Sequence, residues 1–119
     1  MKYLSRFFVL FILTLSIVPR SADAYIDRNT AVLRVLNKAA GKTQVVRIPV
    51  GNTIKIEKLD ITVRACKQSD PFDAENHFSF VEVFNNSDQI FGGWMNRNEP
   101  GNNPMESPDW DIWLNGCED

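Results

Sequence analysis

Acidic and aromatic side chains that could do chemistry are concentrated near the C-terminus. Asp109 and Asp111 are two residues apart, and Trp113 follows at the same spacing. Residues at this spacing share one face of a β-strand, so the segment is predicted to present two carboxylates and an indole together. Two carboxylates ~5–10 Å apart can hydrolyse a glycosidic bond. An indole among polar groups is typical of a surface that stacks on a sugar or contacts a protein.

Trp94 and the loop after it extend this candidate surface. Trp94 follows Gly92–Gly93, where the missing side chains would let a ligand approach the backbone closely. The segment 96–108 is rich in Asn, Gly and Pro. A structural alternative is that Trp94 and Trp113 pack over a disulfide and hold the loop in place. The predicted ligand-binding residues are Trp94, Asn98, Asp109, Asp111 and Trp113.

The residue types favour binding over catalysis. His77 is the only histidine, and no Gly-x-Ser-x-Gly or other nucleophile motif accompanies it. If the two cysteines are bonded to each other, one histidine cannot supply the usual nitrogen and sulfur ligands of zinc. No calcium-loop motif is present. The sequence therefore predicts no catalytic residue, no metal and no cofactor. A hydrolase that uses Asp109 and Asp111 remains the alternative.

The first 24 residues have the pattern of a secretory signal peptide. Two basic residues precede an apolar run at positions 7–18, and Ala22-Asp-Ala24 is an A-x-A cleavage motif. The run is shorter than the ~20 residues that span a membrane, although an uncleaved anchor is the alternative. We expect cleavage after Ala24. One domain, residues 25–119, would remain without a transmembrane segment.

The charge of this domain argues against binding to polyanions. Loss of residues 1–24 would remove three basic side chains and one acidic side chain, which changes the formal net charge from −2 to −4. From residue 96 onward, Arg97 is accompanied by six carboxylates. Such a surface repels phosphate, so we expect no nucleic-acid partner. An anionic membrane surface is disfavoured for the same reason.

Cys66 and Cys117 are the only cysteines. A single pair in an exported protein predicts a disulfide. This bond would close a loop of 51 residues and stabilise the fold by roughly 4 kcal/mol. A redox role for two free thiols is disfavoured because the C-x-x-C spacing is absent.

Hydrophobic alternation predicts a chain made of short strands. Val46, Ile48 and Val50 fall on one face at a period of two residues, and similar patterns recur along the chain. No segment of ten residues shows a helical period. The predicted strands span residues 30–37, 44–50, 54–57, 61–66, 77–85, 89–95 and 109–117.

Turn residues predict how these strands are connected. The odd or even position of a residue along its strand, called its parity, predicts which face of the sheet it lies on. Gly51–Asn52 has the composition of a two-residue hairpin loop, and Leu59–Asp60 is interpreted as a tight turn. Strand 77–85 is apolar on both faces, which predicts a central strand buried on both sides. Parity also predicts two sets of core residues. One set is Ile61, Val63 and Ala65, with Cys66 on the opposite face. The other set is Trp110, Ile112 and Leu114.

Together these patterns predict an all-β fold. Its architecture would be a small, single-domain antiparallel sandwich or partly open barrel of about seven strands with one disulfide.

Three segments, in this order, resemble the uncharacterised family DUF2155. They are Ile61-Thr-Val-Arg-Ala-Cys66, Phe91-Gly-Gly-Trp-Met95 and the stretch from Glu106 to Cys117. The resemblance covers nearly all of residues 25–119 and implies a periplasmic protein of Gram-negative bacteria without an established activity. Ser107 stands where the family usually has histidine, so a mechanism that needs this histidine would be absent here.

These observations favour a non-enzymatic periplasmic module that binds an envelope protein or a glycan. One alternative is a carbohydrate or peptidoglycan hydrolase. Another is a structural envelope factor whose exposed sheet edge pairs with a larger complex.

Overall fold

The computed structural model describes residues 25–119 as two antiparallel β-sheets. The predicted signal peptide, residues 1–24, lies outside the described residues. Apart from a 3-10 turn at Pro100–Asn102, the regular structure of this part of the chain is β-strand. Its strands are β1 (Ile26–Asp27), β2 (Thr30–Asn37), β3 (Lys42–Pro49), β4 (Thr53–Ile56), β5 (Leu59–Gln68), β6 (His77–Asn85), β7 (Asp88–Asn96) and β8 (Trp110–Glu118).

The two sheets have different sizes and do not close into a barrel. The larger sheet has the order β1-β5-β6-β7, and β4 also pairs with β5. The smaller sheet has the order β3-β2-β8. The predicted all-β antiparallel fold is therefore confirmed, with the two-residue β1 as an eighth strand. No helix in residues 25–119 has the length and apolarity to cross a membrane.

Apolar side chains from both sheets form one core between them. Alternation along β6 and most of β8 places every second residue inside, which matches the period of a half-buried strand. Each fully buried aliphatic side chain contributes roughly 1.5–3 kcal/mol by leaving water. Trp110, Ile112 and Leu114 are buried, as their parity predicts. Fully or almost fully buried members are Leu33, Val35, Ile48, Leu59, Ile61, Val63, Val81 and Val83.

A disulfide between Cys66 of β5 and Cys117 of β8 joins the two sheets, which confirms the predicted pairing. The prediction that Cys66 lies opposite the core-facing Ile61 and Val63 is wrong, because only 2% of Cys66 is exposed. A bulge interrupts the pairing of β5 with β6 between Val63 and Ala65. An extra residue at a bulge reverses the alternation. This reversal turns Cys66 towards the other sheet.

Gly51–Asn52 is a connection between sheets, and the predicted hairpin is wrong. β3 pairs with β2, whereas β4 pairs with β5. Gly51 has φ +93°, a conformation that glycine adopts without steric cost. Its N–H donates to the Val63 carbonyl at 2.7 Å. The glycine therefore starts the passage of the chain from the smaller sheet to the larger one.

The turn predicted at Leu59–Asp60 lies two residues earlier. Leu59 is fully buried in β5, and Ile56 pairs with it across the hairpin. The loop is Glu57–Lys58, with Glu57 at φ +53°. Glutamate is not typical of a positive φ, so the composition of this segment did not indicate a turn at Glu57–Lys58.

Candidate functional site

The structure does not bring Asp109 and Asp111 into one cleft. Asp109 precedes β8 and lines a depression at one end of the sandwich, together with Glu57 and Asp88. Asp111 lies within β8 and lines a different depression with Trp113. The two carboxylates therefore line separate depressions, and their joint action at one site stays a prediction.

Trp113 and Asp111 lie beside the long loop that follows β7. They line a depression of about 350 Å³ with loop residues that include Asn103 and Pro104. Both side chains are half-buried. The Asn103 amide donates to the Trp94 carbonyl at 3.2 Å, which attaches the loop to β7. This depression contains two of the five predicted binding residues.

Strand pairing adds Arg34 to this region, a residue that the sequence did not single out. Arg34 of β2 is the cross-strand partner of Trp113. It is half-buried and forms no ion pair among residues 25–119. Only the pairing of β2 with β8 reveals this neighbour, because the two strands are far apart in sequence.

Trp94 lies on the other side of the molecule, on the outer face of the larger sheet. Phe80 is its cross-strand partner, and their ring centroids are 5.4 Å apart at an interplanar angle of 84°. Tyr25 and Phe78 form a second pair at 5.5 Å. A shallow depression of about 300 Å³ is lined by Tyr25, Lys67, Phe78 and Trp94. We call Tyr25, Phe78, Phe80 and Trp94 the aromatic face.

The aromatic face is exposed because it lies on the side of the larger sheet that faces away from the core. Strand 77–85 is central, as predicted, and its inner face is buried at Val81 and Val83. Burial on the outer face is only partial at Phe78 and Phe80, so the prediction of burial on both faces is wrong. Trp94 remains 44% exposed and Tyr25 50% exposed.

Asn98 is separate from both aromatic regions. Its side-chain amide donates to the Glu75 carbonyl at 2.9 Å, and its backbone N–H donates to the Asn76 side-chain oxygen at 3.0 Å. These bonds connect the loop after β7 to the loop before β6. The observed contacts of Asn98 therefore hold these two loops together.

His77 connects the two sheets next to the disulfide. Its side chain is buried, and Nδ1 accepts the backbone N–H of Cys117 at 2.9 Å. Because Nδ1 accepts, the ring proton is assigned to Nε2, which donates to Glu75 at 2.9 Å. This hydrogen bond, together with the nearby Arg97 guanidinium, lowers the pKa of the Glu75 carboxyl. His77 thus has a structural role at the junction of β6 and β8.

Within residues 25–119, no group of three or more His, Cys, Asp or Glu side chains has the arrangement of a metal site.

Comparison with protein families identifies the chain. The family model described as "Uncharacterized protein conserved in bacteria (DUF2155)" matches residues 31–117. No curated protein and no solved structure matches the chain. The matched range extends from β2 to β8 and includes both cysteines and Trp94. The resemblance of the three sequence segments is confirmed, and the chain belongs to the DUF2155 family.

Proposed function

We propose that this DUF2155 protein is a non-catalytic binding module that contacts a partner protein through its aromatic face. The observation that carries the proposal is the adjacency of Tyr25 and Trp94, two large and exposed aromatic residues, around one apolar depression. Contiguous exposed aromatic surface on a small domain commonly marks an interaction site. Trp and Tyr are also enriched among the residues that dominate binding energy.

The chemistry of the depression favours a protein over a glycan. A bound sugar needs hydrogen-bonding groups around its ring for its hydroxyls, because unsatisfied polar groups are costly to desolvate. Here Lys67 supplies the only charged side chain of the lining, and its amine is 3.3 Å from Asp27. An aliphatic or aromatic side chain of a partner would lose water without leaving polar groups unpaired.

The proposed setting is the periplasm. The Cys66–Cys117 disulfide suits an oxidising compartment. The signal-peptide pattern of residues 1–24 suggests the route of export. The family resemblance suggests the periplasm of a Gram-negative cell.

The hydrolase alternative has less support than binding. Asp109 and Asp111 line different depressions, whereas glycoside hydrolysis requires both carboxylates on one scissile bond.

Site-specific photo-crosslinking in cells tests the proposed function. A photoreactive residue at position 94 should capture one discrete partner, and Phe80→Ala should reduce this adduct because Phe80 supports Trp94. The same residue at position 113 is the matched control on the opposite side of the molecule. The proposal fails if position 113 captures a partner while position 94 captures none.

A further inference from the structure

β3 is the free edge of the smaller sheet. The Val50 N–H donates to the Asn29 carbonyl at 2.8 Å, which fixes the direction of the backbone groups at this end of the β2–β3 pair. Because inward and outward groups alternate along an antiparallel strand, the N–H and C=O groups of Thr43, Val45 and Arg47 point away from β2. None of these six groups has a hydrogen-bond partner within residues 25–119.

The longer edge strands other than β3 have side-chain contacts on their backbone groups. On β7, the Trp94 carbonyl accepts from Asn103 and the Phe91 carbonyl accepts from Gln89, each at 3.2 Å. On β8, the Cys117 N–H donates to His77. The edge strands β1 and β4 have only two and four residues.

β3 has few of the devices that usually protect an edge, apart from its charged residues Lys42 and Arg47. It pairs with β2 in regular register over eight residues, without a bulge. Proline occurs only at its last position, Pro49. Val45 is 44% exposed at its middle. A long, regular edge with an exposed apolar centre is a template for another strand.

We propose that β3 pairs with β3 of a second copy of this chain, antiparallel and two-fold symmetric about Val45. Val45 then lies opposite its own counterpart, and Thr43 lies opposite Arg47 of the second copy. The six outward groups of each copy bond to those of the other, which gives six backbone hydrogen bonds across the interface. The two smaller sheets become one continuous sheet.

The sequence of β3 is self-complementary in this register. Its charged residues are Lys42 and Arg47, and neither faces a like charge because Lys42 lies opposite Ile48 of the second copy. β3 contains no carboxylate of its own, and the Glu118 carboxylate beside it is paired with Arg47 at 2.9 Å, so the edge presents no unpaired negative charge to a second acidic molecule. The exposed Val45 side chains come together, and apolar cross-strand pairs are stabilising. These features favour a second copy over a strand from another protein.

The mass of the disulfide-bonded chain in solution, measured by light scattering between about 10 µM and 1 mM, tests the proposal. The chain should become dimeric as its concentration rises, because an interface of one strand pair is small and weak. Val45→Pro removes the central N–H and should give a monomer at every concentration. Proline is tolerated on a free edge, so its unfolding midpoint should stay close to that of the unmodified chain. Val45→Thr keeps the N–H and should still dimerise.

Amide hydrogen exchange tests the same pairing without a variant, should Val45→Pro fail to fold. For a dissociation constant on the order of 100 µM, exchange at Thr43, Val45 and Arg47 should slow roughly fourfold over this concentration range. Exchange at Trp94 should not change. A chain that stays monomeric, or a dimer that persists in Val45→Pro and is lost in Trp94→Ala, would overturn the proposal. Trp94→Ala distinguishes this edge from the aromatic face.

Discussion

The backbone N–H of Cys117 donates to Nδ1 of His77 at 2.9 Å, in the buried space beside the disulfide. The bond joins the last strand of the smaller sheet to the central strand of the larger one. It gives the only histidine of the chain a structural task and predicts the consequences of removing the imidazole.

His77→Ala should destabilise the fold by roughly 1–3 kcal/mol, because the Cys117 N–H would be buried without an acceptor. Urea unfolding of the disulfide-bonded chain measures the change. His77→Asn is the matched control, since its side-chain oxygen can take the place of Nδ1 and should restore part of the loss. Equal stability of His77→Ala and the unmodified chain would contradict this role.

Glu75 should make the stability of the fold depend on pH in the acidic range. The hydrogen bond from His77, followed by the charge of Arg97, lowers the pKa of Glu75 below 4.5. A lowered carboxyl pKa contributes stability that is present above pH 4.5 and is lost as the pH falls through the folded-state value. The stability of Glu75→Gln should therefore differ most from that of the unmodified chain above pH 4.5, and the two stabilities should converge in stronger acid.

Urea midpoints measured as a function of pH test the role of Glu75. Glu99→Gln is the control, because it removes an exposed carboxylate of the neighbouring loop. A gap between the Glu75→Gln and unmodified curves that stays constant down to strong acid would show that Glu75 does not carry this dependence.

Loss of the disulfide should cost roughly 4 kcal/mol, because the bond closes a loop with a sequence separation of 51 residues. The paired variant Cys66→Ala and Cys117→Ala measures this cost by chemical denaturation. Thiol labelling of the unfolded, non-reduced chain should detect no free thiol. Two reactive thiols would contradict the bond.

Gly51→Ala should destabilise the fold by about 1 kcal/mol or more, because Gly51 has φ +93° and alanine is strained there. Gly101→Ala is the control. Gly101 has an ordinary φ, and the space that an alanine methyl would occupy there is open, so its replacement should change stability by less than about 0.5 kcal/mol. Thermal unfolding of both variants would reveal the difference, and equal effects would contradict the conformational argument.

Local pattern was sufficient for much of the strand layout. The predicted limits of β2 and β6 match the structure, because runs rich in β-branched, aliphatic or aromatic residues end at clear turns. Local pattern could not reveal which strands pair. The composition of Gly51–Asn52 is that of a hairpin loop whether or not the flanking strands pair with each other. In the structure, β4 pairs in the other sheet. The bulge after Val63 likewise depends on how β5 meets β6.

The burial of individual candidate residues was predictable from the sequence, but their grouping in space was not. Parity correctly separated Trp113 from the core residue Trp110. Parity within one strand cannot show that Trp94 and Trp113 belong to different sheets. The exposure of the aromatic face depends on which side of β6 the smaller sheet covers. That choice is made by packing between distant segments.

The affinity of Trp94→Ala for the partner captured from position 94 tests the central claim most directly. We predict that its dissociation constant rises about 30-fold or more, the loss expected of a hot-spot tryptophan at roughly 2 kcal/mol. The unfolding midpoint should change little, because Trp94 is 44% exposed. Trp113→Ala should bind within about threefold of the unmodified chain. Unchanged affinity of Trp94→Ala, with binding lost in Trp113→Ala, would contradict the account and place the contact surface on the smaller sheet.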